Sequence, residues 1–194
     1  MLDPQDADAL LGIAVRAVDE PLLSGHRWLP DESGLSATLA RPGACFVTLR
    51  RDGGLLGCIG SLIAHRALGI DVASNAAAAA FDDPRLPTVT TDDLIGMDVH
   101  VSVLGPLEPV LVASREELTA ALRPGVDGLL VEDDRHRGTF LPSVWDQIGD
   151  PADYLDALWA KAGLRPGEWH RGLTVSRYEV DEVGALARMV RRAG

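Results

Sequence analysis

Lysine is almost missing from this chain: Lys161 is the only one among 194 residues, and every other base in the sequence is an arginine or one of five histidines. Acids outnumber Lys and Arg by 29 to 18, a formal charge of −11. A chain this acidic repels phosphate backbones and anionic lipid, so bulk nucleic-acid or membrane-surface binding is not expected. Long apolar runs are missing too. The longest candidate, around Ala76–Phe81, is far short of the ~18 residues a spanning helix needs. Met1-Leu2-Asp3-Pro4 lacks the basic start and apolar stretch of a signal peptide. With only Cys45 and Cys58, no disulfide framework and no Cys-x-x-Cys pair can form. The expectation is a soluble cytoplasmic protein with reduced thiols. His26, His65, His100, His136 and His170 are scattered without an i, i+4 pair, so no metal site is expected. A phosphate loop, a Gly-x-Ser-x-Gly elbow and a dinucleotide fingerprint are all absent, since Gly54-x-x-Gly57-x-x-Gly60 has the wrong spacing for the last. The sequence names no cofactor.

What is present is a core: 46% of residues are apolar, ample for one domain spanning 1–194. Asp3 as cap, Pro4 in the first turn and the stripe Leu10, Ile13, Ala14, Ala17 predict a first helix to about residue 20, stopped by Pro21. Ala44–Leu49 reads as a buried strand, and Asp52-Gly53 as the hairpin turn to a glycine-interrupted return strand, Leu55–Gly60. An alanine-rich helix from Ile70 to Ala80 carries little side-chain bulk, which suits close packing, and Asp82-Asp83-Pro84-Arg85 ends it. Thr91–Leu94 reads as a short helical turn and Met97–Leu104 as an alternating strand. Ser114-Arg115-Glu116-Glu117 is a capping box opening a helix that ends before Pro124. A hairpin follows, Asp127–Glu132 with Gly138–Leu141, then a helix opened by Asp150-Pro151 and stopped by Gly163. One final strand is expected over Leu173–Val180, and a frayed tail over 185–194 with Arg188, Arg191 and Arg192. Hairpins mixed with single helices predict an α+β fold with largely antiparallel sheets and flanking helices.

The chemistry-bearing candidates are few. Cys58 lies between Gly57 and Gly60; glycine in a strand marks a bulge or a close approach, and a thiol there is either a nucleophile or a small core residue. With a plain two-residue turn, Val47 opposes Cys58 and the two cysteines share a face; a three-residue loop puts them on opposite faces. Arg85 in the Asp82-Asp83-Pro84-Arg85 corner reads as an anion-binding cation positioned by Asp82 or Asp83, or as a plain helix stop with an ion pair. Asn75, Ser102 and Thr139 are candidate polar lining, and His100 reads most simply as an outward strand position. Trp145, Trp159 and Trp169 read as core.

Several blocks in order resemble one family across nearly the whole chain: Leu56-Gly57-Cys58-Ile59-Gly60, Asn75 through Phe81 with Asp82-Asp83-Pro84-Arg85, Val101–Leu104, Gly125-x-Asp127-Gly128, Gly138–Pro142 and Lys161–Leu164. This is the AMMECR family, the AmmeMemoRadiSam system protein A of prokaryotes. The resemblance implies a compact α+β unit with a larger and a smaller subdomain, and a setting beside a Memo-type protein and a radical S-adenosylmethionine enzyme. It implies no reaction. On this reading Cys58 marks a cleft that binds or modifies a small polar or anionic molecule, with Asn75, Asp82, Asp83, Arg85, Ser102 and Thr139 as its contacts. The alternative is a non-catalytic adaptor in which the Cys58 motif is structural. One departure stands out: the family's arginine before Gly-Cys-Ile-Gly is Leu56 here.

Overall fold

Helix α1 (Pro4–Ser24) begins where Asp3 accepts the Asp6 N–H, and Pro4 fills the first turn, where no N–H is needed. It does not stop at Pro21. Leu22 still packs on the core, which holds one more turn in place, and Gly25 closes the helix at φ +75° with its N–H on the Pro21 carbonyl. The computed structural model describes residues 2–186 and divides them into two compact units, one of residues 2–104 and 181–186, the other of 105–180.

In the first unit, short strands β1 (Pro42–Gly43) and β4 (Arg66–Ala67) pair antiparallel, beside a four-stranded sheet ordered β10-β5-β2-β3. Its members are β2 (Cys45–Arg51), β3 (Gly54–Gly60), β5 (Met97–Leu104) and β10 (Val180–Leu186). Asp52 at φ +49° and Gly53 at φ +78° make the two-residue turn joining β2 to β3. One face of the sheet carries Cys45, Val47, Leu49, Val99 and Val101, and packs with α1 and helix α2 (Leu68–Phe81) into a core. The alanines of α2 let it come close. A Cβ on Gly57 would lie 1.9 Å from the Ala79 carbonyl oxygen, so glycine is required where strand meets helix.

A β-bulge between β2 and β3 changes the hairpin register. Arg51 faces Gly54 and Arg50 faces Leu55, but Leu49 then faces Gly57 and Thr48 faces Cys58. Leu56 is the extra residue, and the pairing of Val47 with Cys58 expected from a plain hairpin is corrected by one position. Cys45 therefore points into the helix-side core, while Cys58 lies on the opposite face with Thr48.

The second unit has a four-stranded antiparallel sheet, β6 (Glu108–Pro109), β9 (Thr174–Tyr178), β7 (Gly128–Glu132) and β8 (Arg137–Phe140) in that order, with helices α3 (Arg115–Ala121) and α4 (Pro151–Ala162). Its core gathers Leu129, Val131, Trp145, Tyr154, Leu158 and Trp159. Tyr154 stacks on Trp145 at 3.8 Å between ring centroids. Asp150 caps α4 through the Ala152 and Asp153 N–H groups, and Gly163 ends it at φ +78°. At α3, Ser114 accepts the Glu117 N–H as the capping box requires, but the Glu117 carboxylate takes the Ala113 N–H instead of that of Ser114.

Residues 91–96 form hydrogen-bonded turns, in keeping with the short turn expected over Thr91–Leu94, with Asp93 taking the N–H and hydroxyl of Thr90. One further expectation is corrected. The single last strand is two, β9 and β10, separated by Glu179. β9 serves the second sheet and β10 the first. Ala185 and Leu186 thus close a strand, and Arg188, Arg191 and Arg192 lie outside the described residues.

Candidate functional site

β3 is the outer strand of its sheet, so half of its backbone groups lack a strand partner. At Cys58 the corner after α2 supplies one. The Asp83 carboxylate accepts the Cys58 N–H at 3.0 Å, and the Arg85 guanidinium donates to the Cys58 carbonyl at 2.8 Å. Arg85 also holds Asp83 through two oxygens, at 2.8 and 2.6 Å, and Asp83 takes the Arg85 N–H. The Asp-Pro-Arg corner thus acts as a short mock strand that clasps the residue bearing the thiol. Asp83 is buried, and the guanidinium beside it holds its carboxyl well below the usual carboxylate range. The Arg85 side chain is 60% exposed, so its outer N–H groups remain in solvent.

The Cys58 thiol is half-buried and accepts the Thr48 hydroxyl at 3.3 Å. Pairing continues across the sheet from Thr48 to His100, which places Cys58, Thr48 and His100 in one row on the face away from the helices. The row ends at Gly184 of β10, where a Cβ would come 2.5 Å from the His100 Nδ1. One register further along, Phe46 lies over Gly60, and beyond it Ser102 donates to both oxygens of Glu182 at 3.0 and 2.9 Å. Burial pushes the Glu182 carboxyl up from its ordinary value, with the Ser102 hydroxyl opposing it.

The candidates named from sequence do not form one constellation. Cys58, Asp83 and Arg85 come together. Asp82 turns away, into a 2.6 Å ion pair with Arg27. Asn75 belongs to a second polar cluster, inside the helix-side core. There the buried Asp71 carboxylate takes the Cys45 N–H and thiol, the Ser61 hydroxyl, the Arg66 guanidinium and the Asn75 amide. Asn75 also donates to the Cys45 carbonyl at 3.1 Å. Burial and the Asp71 charge push the Cys45 thiol well above its ordinary value, so this cysteine is a packing residue. Ser102 lies with Glu182. Thr139 belongs to the second unit, where it donates to the Leu129 carbonyl and shares a 2.6 Å hydrogen bond with the Tyr178 hydroxyl.

Sequence reading missed Thr48 and Glu182. The polar period-two positions of β2 could have flagged Thr48, but nothing in the sequence signalled the strand that brings Glu182 to Ser102. Among the described residues, no three His, Cys, Asp or Glu side chains gather as a metal site, and no helix is long and apolar enough to cross a membrane.

Comparison with known proteins agrees with the motif order. The AMMECR1 family model matches residues 11–183. A Methanothermobacter thermautotrophicus protein is 38% identical over 167 residues, covering 85% of this chain and 86% of the relative. An Aeropyrum pernix protein is 40% identical over 175 residues, 88% and 74% of the two chains. Among solved structures, the crystal structure of a Pyrococcus horikoshii protein superposes with a TM-score of 0.86 at 30% identity, covering 93% of this chain and 92% of that one. With the antiparallel α+β fold and the clasped Cys58 strand in place, the chain belongs to the AMMECR1 family.

Proposed function

We propose that the open face of the first unit's sheet at Cys58 binds a small polar or anionic molecule, which meets the thiol with Arg85 as its nearby cation. The observation that carries this reading is the clasp: a half-buried thiol whose own N–H and C=O are both fixed by a charged pair. The clasp satisfies two backbone groups that the sheet edge leaves open, and in doing so it fixes the residue that carries the sulfur. The Thr48 O–H is aimed at the sulfur and fixes its direction on the open face. Iodoacetamide labelling followed by peptide mass spectrometry tests the reading, with Cys45 as internal control. Cys58 is expected to react faster in the native protein at pH 7 than in denaturant, and Cys45 only on unfolding. Native labelling of Cys58 no faster than that of the unfolded chain would remove the thiol from the reading.

One observation favours the adaptor alternative. Gly57 and Gly60 are each required by packing, against Ala79 and Phe46, so the motif's glycines have a structural use of their own. We further propose that the protein works with a Memo-type protein and a radical S-adenosylmethionine enzyme, a reading supported by family membership alone. Co-purification with each partner, for the native chain and for Cys58→Ser, separates the alternatives. Capture that survives the substitution, together with slow native labelling, selects the adaptor.

A further inference from the structure

Away from Cys58, the first unit holds a groove of about 590 Å³ between α1 and the segment 28–39, within the size range of small-ligand pockets. Its walls are mostly apolar: Ala9, Ile13, Trp28, Pro30, Leu35 and Leu39. Leu35 also packs where a Cβ on Gly69 of α2 would sit, so helix α2 backs the groove. Gln5, Asp6 and Ala9 precede the span matched by the family model, and the other lining residues lie within it.

Among the described residues, the formal charges lining this groove are the carboxylates of Asp6 and Asp31, and no Lys, Arg or His lines it. Asp31 caps its own short turn through the Ser33 N–H. Asp6 is different. It is 5% exposed, and of its two oxygens only Oδ1 takes a donor, the Ser36 hydroxyl at 2.5 Å. Its Oδ2 takes no donor among the described residues and is not sealed from solvent, so it meets the groove as an open acceptor. Asp6 lies in the first turn of α1, where the helix dipole favours negative charge. Trp28 supplies an aromatic wall, although Arg16 already stacks on the ring at 4.4 Å, so charge recognition rests on Asp6.

We propose that this groove binds a small organic ammonium ion, its apolar body along Ile13, Trp28 and Leu35 and its N–H groups on Asp6. An anion would meet two carboxylates, and a neutral apolar molecule would bury Asp6 further without satisfying it. An ammonium supplies both the charge and the donor. The proposal is independent of the Cys58 reading, since it shares no residue with that face.

Phenylethylammonium is the probe, titrated into the full chain by NMR with 2-phenylethanol as its neutral isostere and 3-phenylpropionate as its anionic one. Saturable shifts at the Ala9, Gly34 and Leu35 amides are expected with a dissociation constant at or below about 1 mM, with at least about tenfold weaker binding of the alcohol and none of the carboxylate. Asp6→Asn keeps the Ser36 contact and removes the charge; it is expected to weaken the ammonium about tenfold. Because Asp6 also sits in a helix cap, Ala9→Phe provides a second variant: it fills the groove from an exposed helix position and is expected to abolish binding with Asp6 intact. No saturation by the ammonium, equal affinity for the alcohol, or unchanged binding in Ala9→Phe would each overturn the proposal.

Discussion

The closest contact between strand and helix in the first unit makes its sharpest stability prediction. Gly57→Ala adds one methyl group, and an ideal Cβ there lies 1.9 Å from the Ala79 carbonyl oxygen, 2.7 Å from its carbon and 3.3 Å from the Ala79 Cα. All three are backbone atoms of α2, so no side chain can swing aside. Ordinary contact begins near 3.4 Å, so strand and helix must separate by more than 1 Å along a line where Val47, Leu49, Ala76 and Ala80 are fully packed. Overpacking in such cores costs about 1–3 kcal/mol, and a wholly backbone clash belongs at the upper end, about 3 kcal/mol. At roughly 2–4 °C per kcal/mol for a chain of this size, the melting temperature falls by about 6–12 °C. Gly12→Ala is the matched control. Gly12 is exposed in the middle of α1 with nothing within 4 Å of its Cβ position, so alanine there stabilises by about 0.5–1 kcal/mol. Urea titration of the two variants reads both signs in one experiment. A Gly57→Ala protein within about 1 kcal/mol of the parent would refute the close packing of β3 on α2.

Two titration predictions follow from the same kind of reasoning. Asp83 is held below the 3.8 of a free aspartate, chiefly by Arg85, so as pH falls the unfolded chain binds the proton first. The stability it contributes is complete above about pH 5 and is lost as pH drops through the folded value. Asp83→Asn should cost about 2 kcal/mol near neutrality, with the difference from the parent shrinking in acid; a pH-independent difference in denaturation midpoints would contradict the ion pair. The two tyrosines are both buried. Burial pushes Tyr178 up to about 12 and Tyr154 higher still, against an ordinary value of 10.0. Phenolate absorbance should stay flat through pH 10 and rise only near pH 12 or with alkaline unfolding. A half-complete transition near pH 10 would place one ring in solvent.

What the sequence made legible was local. Caps, stops and turns depend on one or two residues, so Asp3, Asp150, Gly163 and the Asp52-Gly53 turn could be read directly. The alanines of α2 announced close packing because small side chains have no other collective use on a buried face. Two things were not legible, and a third only in part. The bulge at Leu56 arises from how β3 must pass α2, a tertiary demand, and a single inserted residue reverses every face assignment beyond it. Glu179 divides what reads as one continuous β pattern, because strand exchange between sheets needs no glycine or proline. The role of Asp83 and Arg85 was half legible: their charge pairing follows from spacing, but their grip on an edge strand some 25 residues upstream does not.

The bulge also decides what the departure at Leu56 means. Read as a string, an arginine lost next to Gly57-Cys58 removes a cation from beside the thiol. In the fold, the bulge sets residue 56 with Gly57, and Leu56 packs against the helix-side core that holds Leu49 and Ala79, while Cys58 lies on the other face with Thr48. A cation at 56 would therefore sit across the sheet from the sulfur, with the backbone between them. Leu56→Arg should cost about 1 kcal/mol, because a half-buried leucine is replaced by a stem that must carry its charge out to water. The native alkylation rate of Cys58 should stay within about twofold of the parent, against the severalfold rise expected of a cation placed beside the sulfur. Arg85→Ala is the complementary change, since it removes the guanidinium that does touch Cys58, and should slow that rate while Leu56→Arg does not. A severalfold acceleration in Leu56→Arg would mean that residue 56 reaches the thiol, and the face assignment derived from the bulge would be wrong.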